Sequence, residues 1–141
     1  MRLRLAQAAD WPVVCELRLS VLENRLNNPA SVTQAMYDEY IARIGRGWVA
    51  EIEGRIEGFC IVRDDGYVWA LFVRPGFEGR GLARALMAEC VGWLVGLGVS
   101  RAELETGAGT RAERFYRRAG WREVERNGAD ITFHLDLPTE A

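Results

Sequence analysis

The chain has 141 residues, 49% of them apolar and 27% charged, with a net charge of −2. That balance describes a soluble globular protein, read as a single domain over residues 1–141, and it gives no basic face for nucleic acid or an anionic membrane. No segment approaches the roughly 20 apolar residues of a membrane span, and Arg2 and Arg4 break any signal-peptide run at the N-terminus. All 18 basic residues are arginine, so a Schiff-base lysine or an internal acyl-lysine is ruled out. Cys15, Cys60 and Cys90 are odd in number and lie in apolar stretches, which reads as buried thiols of a reducing cytoplasm.

In chain order, Arg2 to Ala6 alternates like a short strand. Asp10 is placed to cap a helix that carries Val14, Leu17 and Val21 on one side. Asn27-Asn28-Pro29 breaks that helix. Ser31-Val32-Thr33-Gln34 has capping-box spacing and opens a second helix to about Ile44, which Gly45-Arg46-Gly47 ends. Three strands follow, Trp48 to Ile52, Ile56 to Arg63 and Tyr67 to Val73. Glu53-Gly54 and Asp64-Asp65-Gly66 are their turns, which makes an antiparallel meander.

A helix after residue 81 carries two i,i+4 rows, Leu82-Leu86-Cys90-Leu94 and Ala83-Met87-Val91-Val95. A stripe that wide lies against a sheet. Gly96 and Gly98 stop it. A strand from about Ala102 to Thr106 leads into a short helix, with Thr110-Arg111-Ala112-Glu113 as a second capping box and Gly120 past its end. Trp121 to Arg126 and Ile131 to Leu137 close a hairpin around Asn127-Gly128. The order β-α-α-β-β-β-α-β-α-β-β is an α+β fold, a mixed and mainly antiparallel sheet flanked by helices, with one parallel pair across the middle helix.

The segment Val73-Arg74-Pro75-Gly76-Phe77-Glu78-Gly79-Arg80-Gly81-Leu82-Ala83 runs from a strand through a glycine-rich turn into a helix. Backbone N–H groups and the positive end of the helix dipole converge there, which suits phosphate or pyrophosphate. A P-loop requires Gly-Lys-Ser/Thr, and the chain has no lysine. A dinucleotide fingerprint requires a third Gly or Ala where Arg84 stands. What remains, Glu-Gly-Arg-Gly-Leu-Ala after Val-Arg-Pro, resembles the acyl-CoA pyrophosphate loop of the GNAT N-acyltransferases, Arg/Gln-x-x-Gly-x-Gly/Ala. A second stretch, Gly109 to Trp121, resembles that family's Asn-x-x-Ala-x-x-Phe-Tyr-x-x-x-Gly-Phe. Together the resemblance covers about residues 48 to 137.

The resemblance implies a GNAT-like fold whose parallel strands splay at the CoA site, with acetyl-CoA as cosubstrate and no metal. Glu78, Gly79, Arg80, Gly81, Leu82 and Ala83 would face the phosphates. Glu78 replaces the usual Arg or Gln, and is expected to offer its N–H while its carboxylate turns to solvent. Arg80 and Arg84 either add charge there or are simply solvated. Leu71, Phe72 and Val73 would pair with the pantetheine through main chain. Thr110 stands in beside Gly109, where the family has Asn, and Ala112 and Phe115 complete the cofactor wall. Tyr116 is the implied general acid for the departing thiolate, since a phenol with a pKa near ~10 holds a proton to give.

An attacking amine must first lose a proton, and Glu51, Glu103 and Glu105 are candidate bases, with Glu105 the site candidate. Glu23, Asn24, Arg25, Tyr37 and Tyr40 fall where the family builds its acceptor wall, although Tyr37 with Ile41 and Ile44 also reads as a core stripe. His134 reads as structural or exposed. The function expected is N-acetyl transfer from acetyl-CoA to a primary amine of a small molecule. The alternatives are a protein or peptide amine, or a non-catalytic acyl-CoA-binding module. No nucleic-acid or membrane partner is expected, and a homodimer is compatible with the sequence.

Overall fold

The computed structural model describes residues 1–26 and 28–139. Asn27, read above as part of a helix-breaking triplet, lies outside them. Among the described residues, seven strands and four α-helices appear in the expected order. Glu53 and Gly54 both adopt positive φ, +52° and +78°, the geometry that matches a tight hairpin to the right-handed twist of its strands. This turn joins β2 (Gly45–Ile52) to β3 (Arg55–Arg63), which pairs in turn with β4 (Val68–Val73). With β1 (Arg2–Leu5) on the other edge, the antiparallel order is β1-β2-β3-β4. A second antiparallel sheet, in the order β5-β7-β6, holds β5 (Arg101–Gly107), β6 (Arg122–Asn127) and β7 (Asp130–Asp136).

The two sheets meet at one parallel bridge between Tyr67 and Glu103, where the Glu103 N–H donates to the Gly66 carbonyl at 2.9 Å. Gly66 has φ +106°, and a Cβ there would stand 2.3 Å from the Arg101 carbonyl oxygen. Only glycine lets the chains approach so closely at this pivot. Beyond it β4 and β5 run on without a ladder. The expected mixed sheet with a splayed parallel pair takes the form of two antiparallel sheets hinged at one parallel bridge, open like a V toward the strands' C-terminal ends.

Each face of the first sheet has its own core. On one face lies α3 (Leu82–Gly96), whose predicted row Leu82, Leu86, Cys90 and Leu94 is at most 2% exposed and packs with Trp48, Cys60 and Leu104. On the other lie α1 (Trp11–Ser20) and α2 (Gln34–Glu39), where Val14, Leu17 and Tyr37 pack on Val49, Phe59 and Ile61. Each fully buried aliphatic side chain contributes about 1.5–3 kcal/mol relative to exposure. α2 continues to Ile44 as a π-helical stretch, Tyr40–Ile44, whose Tyr40 stacks on Trp69 at 4.1 Å between ring centroids.

Two expected caps move. Asp10 does not cap α1; its carboxylate takes the Arg4 guanidinium at 2.9 Å and the Gln7 N–H at 2.8 Å. A charged fork from β1 outcompetes a helix N–H. The cap of α2 is Thr33, whose Oγ1 accepts the Met36 N–H, and not Ser31, which closes a short 3₁₀ turn over Pro29–Ser31. No helix among the described residues is long and apolar enough to cross a membrane.

Candidate functional site

The open V between β4 and β5 forms a cleft of about 1060 Å³, at the upper end of the range for small-molecule sites. Its walls follow from strand alternation. The Arg74 N–H donates to the Glu57 carbonyl, and Phe72 lies opposite Phe59 in the ladder. Two-residue periodicity therefore turns the Phe72 main chain toward β3 and leaves the main-chain groups of Leu71 and Val73 facing the split. Of the three strand positions expected to pair through main chain, Phe72 is thus already occupied. It offers its ring to the α1 face instead, packed against Phe59 at 5.8 Å between centroids.

At the mouth of the cleft, Gly79 and Gly81 have φ of +75° and +87°, and a Cβ at either would meet nothing within 4 Å. The turn thus has a left-handed backbone with open space in front of it. Gly81 precedes α3 without a side-chain cap, whereas α2 and α4 (Arg111–Arg118) are each capped by a threonine. The first N–H groups of α3 are left to an anion from outside. Glu78, Gly79, Gly81, Leu82 and Ala83 line the cleft together with Arg84.

Two residues of this turn depart from expectation. The exposed Glu78 carboxylate folds back to accept the Gly76 N–H at 2.7 Å. Its own N–H and that of Gly76 hold its pKa below the usual carboxylate range. Arg80 does not line the cleft; its guanidinium sits 4.8 Å from the Phe77 ring centroid, a cation–π contact that draws it aside. Arg74, from the Val-Arg-Pro step, bonds Glu57 at 3.0 Å and Glu16 at 2.6 Å and ties α1 to the sheet.

On the opposite wall α4 begins after Thr110, which does not line the cleft. Its hydroxyl accepts the Glu113 N–H at 3.1 Å and donates to the Gly107 carbonyl at 2.7 Å. Glu113 reaches the Gly109 N–H at 2.7 Å, one residue before the reciprocal partner of a capping box. Ala112, Phe115 and Tyr116 line the cleft. Tyr116 is 5% exposed, with its ring among Phe115, Trp121 and Phe133. Burial first, and the Cys60 and Cys90 thiols second, push its phenol above the ordinary value of 10.0. It stays protonated at neutral pH, as a proton donor must.

Of the candidate bases, Glu105 is exposed and lines the cleft. Glu103 is held by His134 at 2.8 Å and Glu51 by Arg4 at 3.4 Å, both away from it. Glu23, Asn24 and Arg25 line the cleft's far side. Glu23 accepts the Arg111 N–H at 3.0 Å, and Asn24 bonds both Thr106 and Gly107. Tyr37 does not line the cleft: it is 0% exposed, its hydroxyl donates to the Gln7 carbonyl at 2.8 Å, and it borders only the small adjoining pocket. Burial raises its pKa beyond the usual phenol range. Sequence reasoning missed Arg18, which lines the cleft from α1; between Leu17 and Leu19 it reads as an ordinary solvent position.

A family model described as an acetyltransferase (GNAT) domain matches residues 19–133. Among curated proteins no sequence relative was found. Among solved structures, the ribosomal-protein-S18-alanine N-acetyltransferase from Escherichia coli superposes with a TM-score of 0.83 at 18% identity, over 99% of this chain and 96% of that one. PaiA N-acetyltransferase from Thermoplasma acidophilum, in complex with coenzyme A, gives 0.82 at 12% identity, over 97% and 100%. An acetyltransferase of the GNAT family from Staphylococcus aureus Mu50 gives 0.83 at 16%, over 97% and 99%. At such identities the likeness is one of fold.

Proposed function

Because the chain belongs to the GNAT acetyltransferases, we propose that it transfers an acetyl group from acetyl-CoA to a primary amine of a small molecule by direct attack. The observation that carries this reading is that Tyr116 and Glu105 line the same cleft as the uncapped start of α3 and the split edge of β4. The residues present fit acetyl-CoA. The glycine turn has open left-handed backbone for a pyrophosphate, Arg84 and Arg111 add positive charge, and Leu71 and Val73 leave main-chain groups for amides. Acetyl-CoA supplies the activated acetyl thioester.

In this reading Glu105 takes a proton from the ammonium or from a water between them, which frees the nitrogen lone pair. The new C–N bond forms as the C–S bond breaks, with a β4 N–H at Leu71 or Val73 supporting negative charge on the carbonyl oxygen. Tyr116 gives its proton to the departing sulfur and regains one from solvent, to which the nitrogen sheds its second proton. The pinning of residues 23 and 24 across the end of β5 and the start of α4 narrows the acceptor side, which favours a small molecule over a folded protein.

The test is thiol release from acetyl-CoA across a panel of small amines and short peptides, against the same mixture without amine. Release that depends on a free small amine supports the proposal. Release with peptide N-termini alone would move the acceptor class to peptides. No amine-dependent release from any of them would sink it.

A further inference from the structure

Arg18 stands apart from the other arginines of the cleft. Its guanidinium carbon lies 4.0 Å from the Phe72 ring centroid, and its Nη1 is shut off from solvent with no hydrogen-bond partner among the described residues. No salt bridge to Arg18 forms among the described residues; Glu16, two residues before it, pairs with Arg74, and Glu23 accepts the Arg111 N–H. Burial lowers its pKa, yet a guanidinium keeps its proton throughout the physiological range. The fold therefore holds a half-buried cation in want of an anion.

The side chain lines two cavities, the cleft and an adjoining pocket of about 110 Å³ bordered by Trp11, Val14, Leu19, Phe59 and Trp69. An apolar cavity of about 150 Å³ holds a benzene ring, so this one suits a branched aliphatic group. The side of the sheet matters too. Phe72 and Phe59 pack on the α1 face, whereas α3 and the turn before it belong to the opposite core. An anion at Arg18 is therefore not the pyrophosphate that the glycine turn would hold.

We propose that Arg18 binds a carboxylate of the acceptor while the adjoining pocket takes a branched apolar side chain, so that the acceptor is an amine of the aliphatic amino-acid class. The inference rests on the transfer to small amines proposed above. The planar fork of an arginine matches a carboxylate, and the Phe72 ring fixes its plane. An amine lacking the carboxylate leaves the cation unpaired, and a site built for a polar group discriminates most strongly against its absence.

The test compares kcat/KM for leucine, leucinamide and isoamylamine at saturating acetyl-CoA in the wild type, R18M and R18K. Both variants keep a long stem along Phe72, and their Tm values check the fold. Leucine should exceed isoamylamine by about tenfold to a hundredfold in the wild type, with R18M bringing the ratio near one and R18K in between, as it keeps the charge without the fork. A wild-type ratio near one, or a ratio that R18M leaves unchanged, overturns the assignment. If no amine is turned over, calorimetry with acetyl-leucine and its amide in the presence of CoA separates the two readings. A preference for the acid that R18M abolishes keeps Arg18 as a carboxylate site while the transfer to small amines falls; equal binding of acid and amide overturns the Arg18 site as well.

Discussion

Asn24 holds Gly107 from across the cleft: its Oδ1 accepts the Gly107 N–H at 2.8 Å, while its Nδ2 donates to Thr106 Oγ1 at 3.1 Å. It does so from φ +56°, a left-handed conformation that asparagine tolerates better than most residues. A Cβ on Gly107 would stand 2.8 Å from that Oδ1, so the pair is fitted on both sides. The segment after α1 is therefore positioned by side chain–backbone bonds and not by an element of its own.

Asn24→Ala removes both bonds and keeps the unfavourable φ, and is expected to cost about 1–3 kcal/mol. Asn24→Gly relieves the φ but restores no bond, so it should recover only part of the loss. The KM for the acceptor should rise in both while the KM for acetyl-CoA changes less. Denaturant melts and steady-state kinetics check this. An Asn24→Ala protein with wild-type stability and acceptor KM would mean that the loop is held by something else.

Tyr116→Phe keeps the ring among Phe115, Trp121 and Phe133 and removes the proton donor. The expected outcome is a kcat lowered about a hundredfold or more, with acetyl-CoA affinity held within about twofold. Because burial raises the phenol's pKa, its ionisation should not lower the rate as pH rises toward about 10. A falling limb well below that pH which disappears in Tyr116→Phe would show that the buried phenol is not held protonated.

What could be read from the sequence, and what could not, divides along physical lines. The α3 rows, the hairpin glycines and the two motifs are local or strictly periodic, so the element order and most of the cleft lining were legible. Partner choice was not. Asp10, Ser31 and Thr110 all had the right spacing to cap; Thr110 does cap α4 through the Glu113 N–H, but Arg4 from β1 claims Asp10 and Thr33 takes the role read at Ser31. Tyr37 showed a helical stripe that core and site share, and its burial and the Gln7 carbonyl that takes its hydroxyl put it in the core at the edge of the small pocket. Arg18 carries no pattern at all, because its meaning lies in an absent partner and in the Phe72 ring that the chain brings to it.

Glu78→Gln tests the residue at which the phosphate turn departs most from its family. The amide oxygen can still accept the Gly76 N–H, which Glu78 now holds at 2.7 Å, while a negative charge leaves the mouth of the proposed phosphate site. The KM for acetyl-CoA should fall by about twofold to fivefold, the scale of one solvent-screened charge, and the gain should shrink as salt is added. A higher KM in Glu78→Gln would instead mean that the carboxylate's grip on the turn matters more than its repulsion.

Asp10 gives a pH dependence whose sign follows from its surroundings. The Arg4 guanidinium, and then the Gln7 N–H, hold its carboxyl below the ordinary value of 3.8. A depressed folded-state pKa contributes stability that is complete above the unfolded-state value and is lost as pH falls through the folded one. Asp10→Asn should therefore cost about 1–3 kcal/mol at neutral pH, as expected for charge-assisted bonds to a largely buried carboxylate. Its deficit against the wild type should begin to narrow as pH falls below about 4 and go on narrowing as the wild-type carboxyl takes up its proton. Urea melts of both proteins across that window measure the difference directly. A deficit that stays constant down to the lowest pH at which the protein folds would assign the loss to packing, and the Arg4–Asp10 pair would then contribute through shape and not through charge.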